Sequence, residues 1–511
     1  MSRTINSIRN IKYAVIGQVF ALFISFFARM FFVKILGSEY LGLNGLFTNI
    51  ISVLSVVELG IGPAIIFSLY KPLAENDIPK IKALMNLYQR AYITIGIIIF
   101  ILGSLLTPLL PFIIKDIPDI PHIQLIYLMF VTNAAISYFF SYKRSLIIAD
   151  QKRYIATAYR YGFFAILNIV QIIVLIITKN FIFYLGVQIF FTLLENILVS
   201  KRADRLYPYL RTPNKEKLDD DTKKIISRNV KAMLSHKIGG IIVNGTGNLL
   251  ISKFVGVIAV GLYSNYYLII SALNLVFNLL FQSITASVGN LGVTQTRQRT
   301  YFIFNSLNLA GFWGIGFTAI CLFNLFNPFI NLWLGEEYLF QLEIVFLIVL
   351  NFYLNGMRRN VLTFKEALGL YWYDRYKPFF EVVINFIVSI VLVQEIGIIG
   401  IFIGSAISTL TTCFWVEPYI LFKYGFKISS LSYFKRYTYY TFILLISGLT
   451  TWFICYNING GSLIAFLIKL LICIIVPNVF FSIAFWKTPE FKYLINILQS
   501  VLNRKGQSFN N

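Results

Sequence analysis

Phe, Ile and Leu recur along the chain in runs of roughly 17–25 residues, the length a helix needs to cross hydrocarbon. Fourteen such runs stand out, at about 13–36, 43–69, 90–113, 123–142, 160–178, 181–200, 232–255, 262–288, 302–326, 341–357, 379–394, 397–421, 438–456 and 463–486. The pattern predicts an all-α polytopic membrane protein with about 14 transmembrane helices. Polar residues inside the runs are few, so each is informative.

Composition agrees with that class. Hydrophobic residues make up 58% of the 511 residues and charged residues 13%, about half the share of a soluble domain. The net charge of +22 first suggests nucleic acid, but its distribution follows topology. With a cytoplasmic N-terminus, the inner connections carry Lys71, Lys80, Lys143, Arg144, Lys152, Arg153, the cluster at 201–231, Arg358, Arg359 and the tail. The outer ones hold Lys115 and Lys179 with acids such as Glu39, Glu336 and Glu395. That is the positive-inside pattern, with both termini cytoplasmic and no nucleic-acid partner expected. The basic start at Arg3, Arg9 and Lys12 leads into an apolar run too long for a signal peptide, and reads as an uncleaved first span. The four cysteines lie in apolar segments without metal-ligand spacing, and His122 and His236 have no ligand companion. No metal or other cofactor is expected.

Sliding the chain by 219 positions lays FVKILGSEYLGLNGLFTNIIS (32–52) over ISKFVGVIAVGLYSNYYLIIS (251–271) without a gap. Lys34 meets Lys253, Gly37 meets Gly256 and Gly42 meets Gly261. Apolar resemblance by chance matches Ile and Leu, but not lysines and glycines at one offset. Six spans per unit make a parallel repeat, related by an axis along the membrane normal around a central cavity. The expected organisation is a first lobe at 1–200, a cytoplasmic linker at 201–228 and a second lobe at 229–427. An appended helix pair and cytoplasmic tail follow at 428–511.

The first helices of the two repeats each carry a polar stripe. Gln18, Ser25 and Arg29 share one helical face, and adding 219 gives Lys237, Asn244 and Asn248. Span eight adds Ser271, Asn274, Asn278, Gln282 and Thr285 at helical spacing. For the Asn and Ser members, lining a cavity and hydrogen-bonding a neighbouring helix both fit. Arg29 and Lys237 favour a cavity, because a cation in hydrocarbon needs water or a counter-charge. Embedded cations suit an anionic ligand, and the arginine fork suits phosphate. Glu58 is a candidate coupling-ion residue, although ELGIG also reads as a helix-packing feature. Lys143, Arg144, Arg358 and Arg359 are candidates for a cytoplasmic mouth that gathers anionic head groups, against plain positive-inside anchoring.

The stretch LGSEYLGLNGLFTNIISVLSVVELGIGPAIIFSLYKPLAENDIPKIKALMNLY resembles Wzx-type oligosaccharide-lipid flippases. So does RRNVLTFKEALGLYWYDRYKPFFEVVINFIVSIVLV with the downstream GIIGIFIGSAIS and CFWVEPYILFKYGF. These belong to the polysaccharide-transport branch of the multidrug/oligosaccharidyl-lipid/polysaccharide (MOP) superfamily. The resemblance covers about residues 10–427. It implies two six-helix lobes that open alternately, in a bacterial plasma membrane. It implies flipping of undecaprenyl-pyrophosphate-linked oligosaccharide units to the outer leaflet for capsule or related surface polysaccharide. Membrane lipid, a polymerase and other polysaccharide-assembly proteins are the implied partners. Related flippases use arginines on their first helices, a place comparable to that of Arg29. By analogy alone, the final helix pair would help form a groove for the lipid tail.

Two other classes compete. A drug or small-molecule cation antiporter of the same superfamily calls for an acidic cavity, whereas the embedded charges here are mainly basic. A polymerase or glycosyltransferase needs a domain outside the membrane. The longest connection is the linker of about 28 residues, and no DxD, P-loop or Ser/His/Asp set occurs. The expectation is a transporter and not an enzyme.

Overall fold

Gly37 sits at a bend in the first helix with φ 87° and ψ −177°, a backbone that glycine adopts without Cβ strain. Gly256, one repeat offset later, has φ 128° and ψ 165° and ends a π-helical turn at Ile251–Val255. The two glycines that the sequence aligns therefore make the same break. In the first copy two helices meet at this kink, grouped here as α1 (Ser2–Leu54), so spans one and two stay distinct. Span two then breaks at a 3₁₀ turn, Ser55–Glu58, before α2 (Ile61–Glu75).

The computed structural model describes residues 2–508 except 59–60, 116–119, 140, 213–217, 220–221, 225, 227–229, 231–246 and 459. The described residues are almost wholly helical and contain no strand. After α2 come α3 (Ile78–Leu105), α4 (Ile123–Phe139), α5 (Ser141–Ala149), α6 (Arg153–Thr178) and α7 (Phe181–Leu206). Then follow α8 (Val257–Thr294), α9 (Arg297–Trp333), α10 (Leu342–Ala367) and α11 (Lys377–Ile396). The last are α12 (Ile398–Phe426), α13 (Leu431–Tyr456), α14 (Leu463–Phe485) and α15 (Pro489–Ser508).

Among the described residues, 10 spans are long and apolar enough to cross a membrane, or 11 if the bent pair α4–α5 is one. The apolar pattern predicts fourteen. The differences have identifiable causes. Span two is divided between α1 and α2, span ten lies on α10 with Arg358 and Arg359, and most of span seven falls outside the described residues. The chain is thus a helical, multi-pass membrane protein.

Two compact units divide the chain, Met1–Ser264 and Asn265–Asn511. In the first, Leu69, Leu84, Tyr88, Ile99, Leu146 and Ala203 are essentially inaccessible and tie α2, α3, α5 and α7 together. Phe23 and Phe27 of α1 stay 62% and 60% exposed, a surface suited to lipid rather than water. In the second unit, α13 and α14 dock on α9. Phe312 stacks on Tyr440 with centroids 4.6 Å apart, and the Trp313 indole donates to Asn478 Oδ1 at 2.7 Å. The Phe304 ring meets Phe364 edge-on at 5.1 Å, joining α10 to the same core.

Candidate substrate-binding site

The polar stripe of α1 separates into different roles. The Gln18 carbonyl oxygen accepts a hydrogen bond from the Tyr161 hydroxyl of α6 at 2.6 Å. Ser25 donates to the carbonyl of Ala21, 2.8 Å away on its own helix. Both are satisfied by helix packing. Arg29 donates from Nη1 to Ser264 Oγ at 2.8 Å, and the Tyr184 phenol lies within electrostatic reach. Arg29 and Glu58 form no ion pair; each has other partners.

Lys237 and Asn244 lie outside the described residues. Asn248, the repeat counterpart of Arg29, has a buried Oδ1 with no hydrogen-bond partner among the described residues. A buried amide oxygen left unpaired costs on the order of 1–3 kcal/mol, so a ligand or water donor is favoured there.

Glu58 occupies the helix break before α2. Its Oε1 accepts from the Tyr92 hydroxyl at 2.6 Å and its Oε2 from the Tyr138 hydroxyl at 3.1 Å. Tyr88 donates to Tyr92 at 3.3 Å and lies 2.9 Å from Ser145 Oγ. Among the described residues no Lys or Arg pairs with Glu58. Both of its described hydrogen bonds come from phenols. The sequence hints at this shell only through the i, i+4 spacing of Tyr88 and Tyr92; Tyr138 comes from a different helix.

The four cations expected at a cytoplasmic mouth also divide. Lys143 on α5 binds both oxygens of Asp204 on α7 at 2.8 Å, and Arg144 binds Glu195 of the same helix. On α10, Arg358 makes a two-pronged pair with Glu417 of α12, Nε to Oε2 at 3.1 Å and Nη2 to Oε1 at 2.9 Å. Arg358 also reaches Glu381 at 3.4 Å, and Lys377 bonds Glu417 as well. Each unit thus has a cation on its fourth span tied to an acid on its sixth.

Glu417 is fully buried, between π-helical turns at Thr409–Cys413 and Leu421–Phe426, and is followed by Pro418. Proline lacks the N–H for the Phe414 carbonyl, which helps break regular winding there. Such π turns cluster at functional sites. In the sequence alone, Glu417 reads only as an acid near a helix end.

Arg359 differs from the other three. It donates to Asn274 Oδ1 at 2.9 Å, to the Asn274 carbonyl at 3.4 Å and to Asn278 Oδ1, all on α8. Among the described residues it has no acidic partner. Arg29 and Arg359 are therefore guanidinium groups, each within its own unit, whose hydrogen bonds among the described residues go to neutral oxygens.

The helical fold is similar to those of solved membrane transporters. A structure of the lipid II flippase MurJ, inward closed, aligns over 93% of this chain and 99% of its own, with TM-score 0.64 and 15% identity. An inward-facing multidrug transporter of the MATE family aligns over 79% of this chain and 94% of its own, with TM-score 0.61 and 15% identity. The Vibrio cholerae MATE transporter VcmN, in its bent form, aligns over 83% of this chain and 98% of its own, with TM-score 0.52 and 13% identity. No protein-family model and no curated protein sequence matches the chain.

Proposed function

We propose that this protein is a Wzx-type flippase that carries undecaprenyl-pyrophosphate-linked oligosaccharide units across the bacterial plasma membrane by alternating access, for capsule or related surface polysaccharide. The carrying observation is the state of Arg29 and Arg359. A charged side chain among apolar helices costs about 2.5–3.5 kcal/mol or more, and neutral hydroxyl and amide oxygens offset only part of it. An anionic head group supplies the missing counter-charge, and the arginine fork matches phosphate oxygens two at a time. Arg29 would hold the pyrophosphate or an acidic sugar, with Lys237, Asn244 and Asn248 on the equivalent face of the second repeat. The polyprenyl tail need never leave lipid. The sequence resemblance and the fold shared with a lipid II flippase support the reading.

In a strain whose flippase gene is deleted, wild-type protein should restore surface polysaccharide. Arg29→Ala and Arg359→Ala should each fail to do so while remaining in the membrane at normal level. Normal polysaccharide in both variants would remove the assignment.

Glu58 favours a second reading, a small-molecule cation antiporter. A carboxylate caged by phenols without a basic partner is suited to a proton or sodium ion, and in the flippase reading it would carry the coupling ion instead. Drug-susceptibility profiles in an efflux-deficient host separate the two: resistance lost with Glu58→Gln supports antiport, and unaltered susceptibility supports the flippase.

A further inference from the structure

A cavity of about 260 Å³ lies in the second unit where α9 ends and α14 begins. Its wall includes Asn327 and Asn331 from α9, Leu339, and Ser462, Phe466 and Lys469 from the start of α14. The volume is many times that of one water, about 30 Å³ in the liquid, and just below the roughly 300–1,000 Å³ of drug-sized pockets. It suits a compact head group better than a sugar chain.

Its polar groups are unevenly committed. Asn327 is engaged at both atoms: its Oδ1 accepts from the Tyr266 hydroxyl at 2.6 Å and its Nδ2 donates to the Phe340 carbonyl at 2.9 Å. Ser462 caps α14 by accepting from the Ala465 N–H at 3.2 Å. Lys469 has no acid within ion-pair distance and no side-chain hydrogen bond among the described residues, though it is only partly exposed. Asn331 is likewise uncommitted. The cavity therefore presents one cation and one free amide.

Depth identifies the ligand class. Lys469 is seven residues into the helix from Ser462, about 10 Å along the axis at 1.5 Å per residue. The polar zone of each leaflet is about 5–8 Å thick, and a lysine stem can raise its ammonium toward it. The charge then sits where lipid phosphates lie. Chain direction puts this end opposite the one that holds Arg358 and Lys377, so by the positive-inside pattern it faces the outer leaflet.

We propose that this cavity binds the phosphate of an anionic lipid in the outer leaflet, with Lys469 pairing the charge and the Asn331 amide donating to a second oxygen. Two sources share that chemistry, a phospholipid head group and a polyprenyl phosphate. The site does not depend on the flippase reading, because either lipid surrounds the protein whatever it transports.

The test uses the purified full chain in detergent, titrated with phosphatidylglycerol, with undecaprenyl phosphate, or with phosphate-free diacylglycerol, and read by native mass spectrometry. At least one phosphate lipid should bind more tightly than diacylglycerol, and the tighter one names the source. Lys469→Gln should weaken it by about tenfold, the loss of one charge-assisted bond, and Lys469→Arg should retain it. Lys487→Gln, near the other end of α14, should leave binding unchanged. Acylation of the Lys469 amine in wild-type protein, mapped on peptides, should be slowed by the bound phosphate lipid and not by diacylglycerol. That readout needs no variant to fold. Equal binding of all three lipids, or unprotected acylation, overturns the proposal.

Discussion

Gly42 and Gly261 pack against each other through reciprocal contacts. A Cβ on Gly42 would come within 2.1 Å of the Val257 carbonyl oxygen, and one on Gly261 within 2.6 Å of the Ser38 carbonyl oxygen. Ser38 and Val257 are 219 positions apart, as are Gly42 and Gly261. Position i of one copy touches position j of the other, and the reverse, which is the signature of a two-fold contact. The 219-residue offset seen in the sequence thus recurs in this contact.

Valine at Gly42 or at Gly261 should therefore lower thermal stability, by about 1–3 kcal/mol for an overpacked contact. Because the two sites share one contact, the double variant should cost less than the sum of the singles. Melting temperatures of the three variants in detergent check this; strict additivity would mean the sites are independent.

The buried network around Glu417 predicts asymmetry between breaking a pair and removing it. Glu417→Ala leaves Arg358 and Lys377 facing Glu381 alone and should cost on the order of 3–5 kcal/mol. Adding Arg358→Met removes one stranded charge and should restore part of that stability. Thermal denaturation of the single and double variants measures both effects.

Neighbouring arginines should behave differently. Arg358→Gln should reduce the amount of folded protein in the membrane, because it leaves the buried Glu417 with Lys377 as its one remaining cation among the described residues. Arg359→Gln loses only bonds to asparagine oxygens and should leave the amount normal while surface polysaccharide falls. Immunoblots of membranes beside a polysaccharide stain resolve the two phenotypes.

The phenol shell of Glu58 predicts coupled costs. Tyr92→Phe and Tyr138→Phe should each destabilise by about 1.5–3 kcal/mol, the usual worth of a hydrogen bond to a charged group. In a Glu58→Gln background each should cost clearly less. A double-mutant cycle on melting temperature is the measurement, and equal costs in both backgrounds would show that the phenols do not serve the carboxylate.

Spans were legible where apolar runs were long and undivided, as in α6, α7 and α14. They were not where span two broke at Ser55–Glu58, because that break depends on backbone packing that periodicity does not encode. The polar stripe of α1 was legible as a face, but the partners of its members were not. Gln18 is bonded by Tyr161, 143 positions away, and Arg29 by Ser264, 235 away. Ser25 is satisfied within its own turn. Arg359 reads in the sequence as part of a cytoplasmic mouth or as plain anchoring, and nothing in the sequence marks Asn274 and Asn278 as its partners. Charge in the sequence shows that a partner is needed, and only the fold shows which kind it finds.

The two π-helical turns of α12 also set an angular register. Each accommodates a residue beyond regular α winding, and one residue corresponds to about 100° of rotation about the helix axis. Winding Thr409–Cys413 as regular α-helix with every residue kept would turn the segment after it by about that angle relative to the segment before. Glu417 would swing away from Arg358 as Gly400 and Gly404 kept their places against α11. The winding defect therefore works as an indexing step, letting one helix show small residues to one neighbour and a buried carboxylate to another.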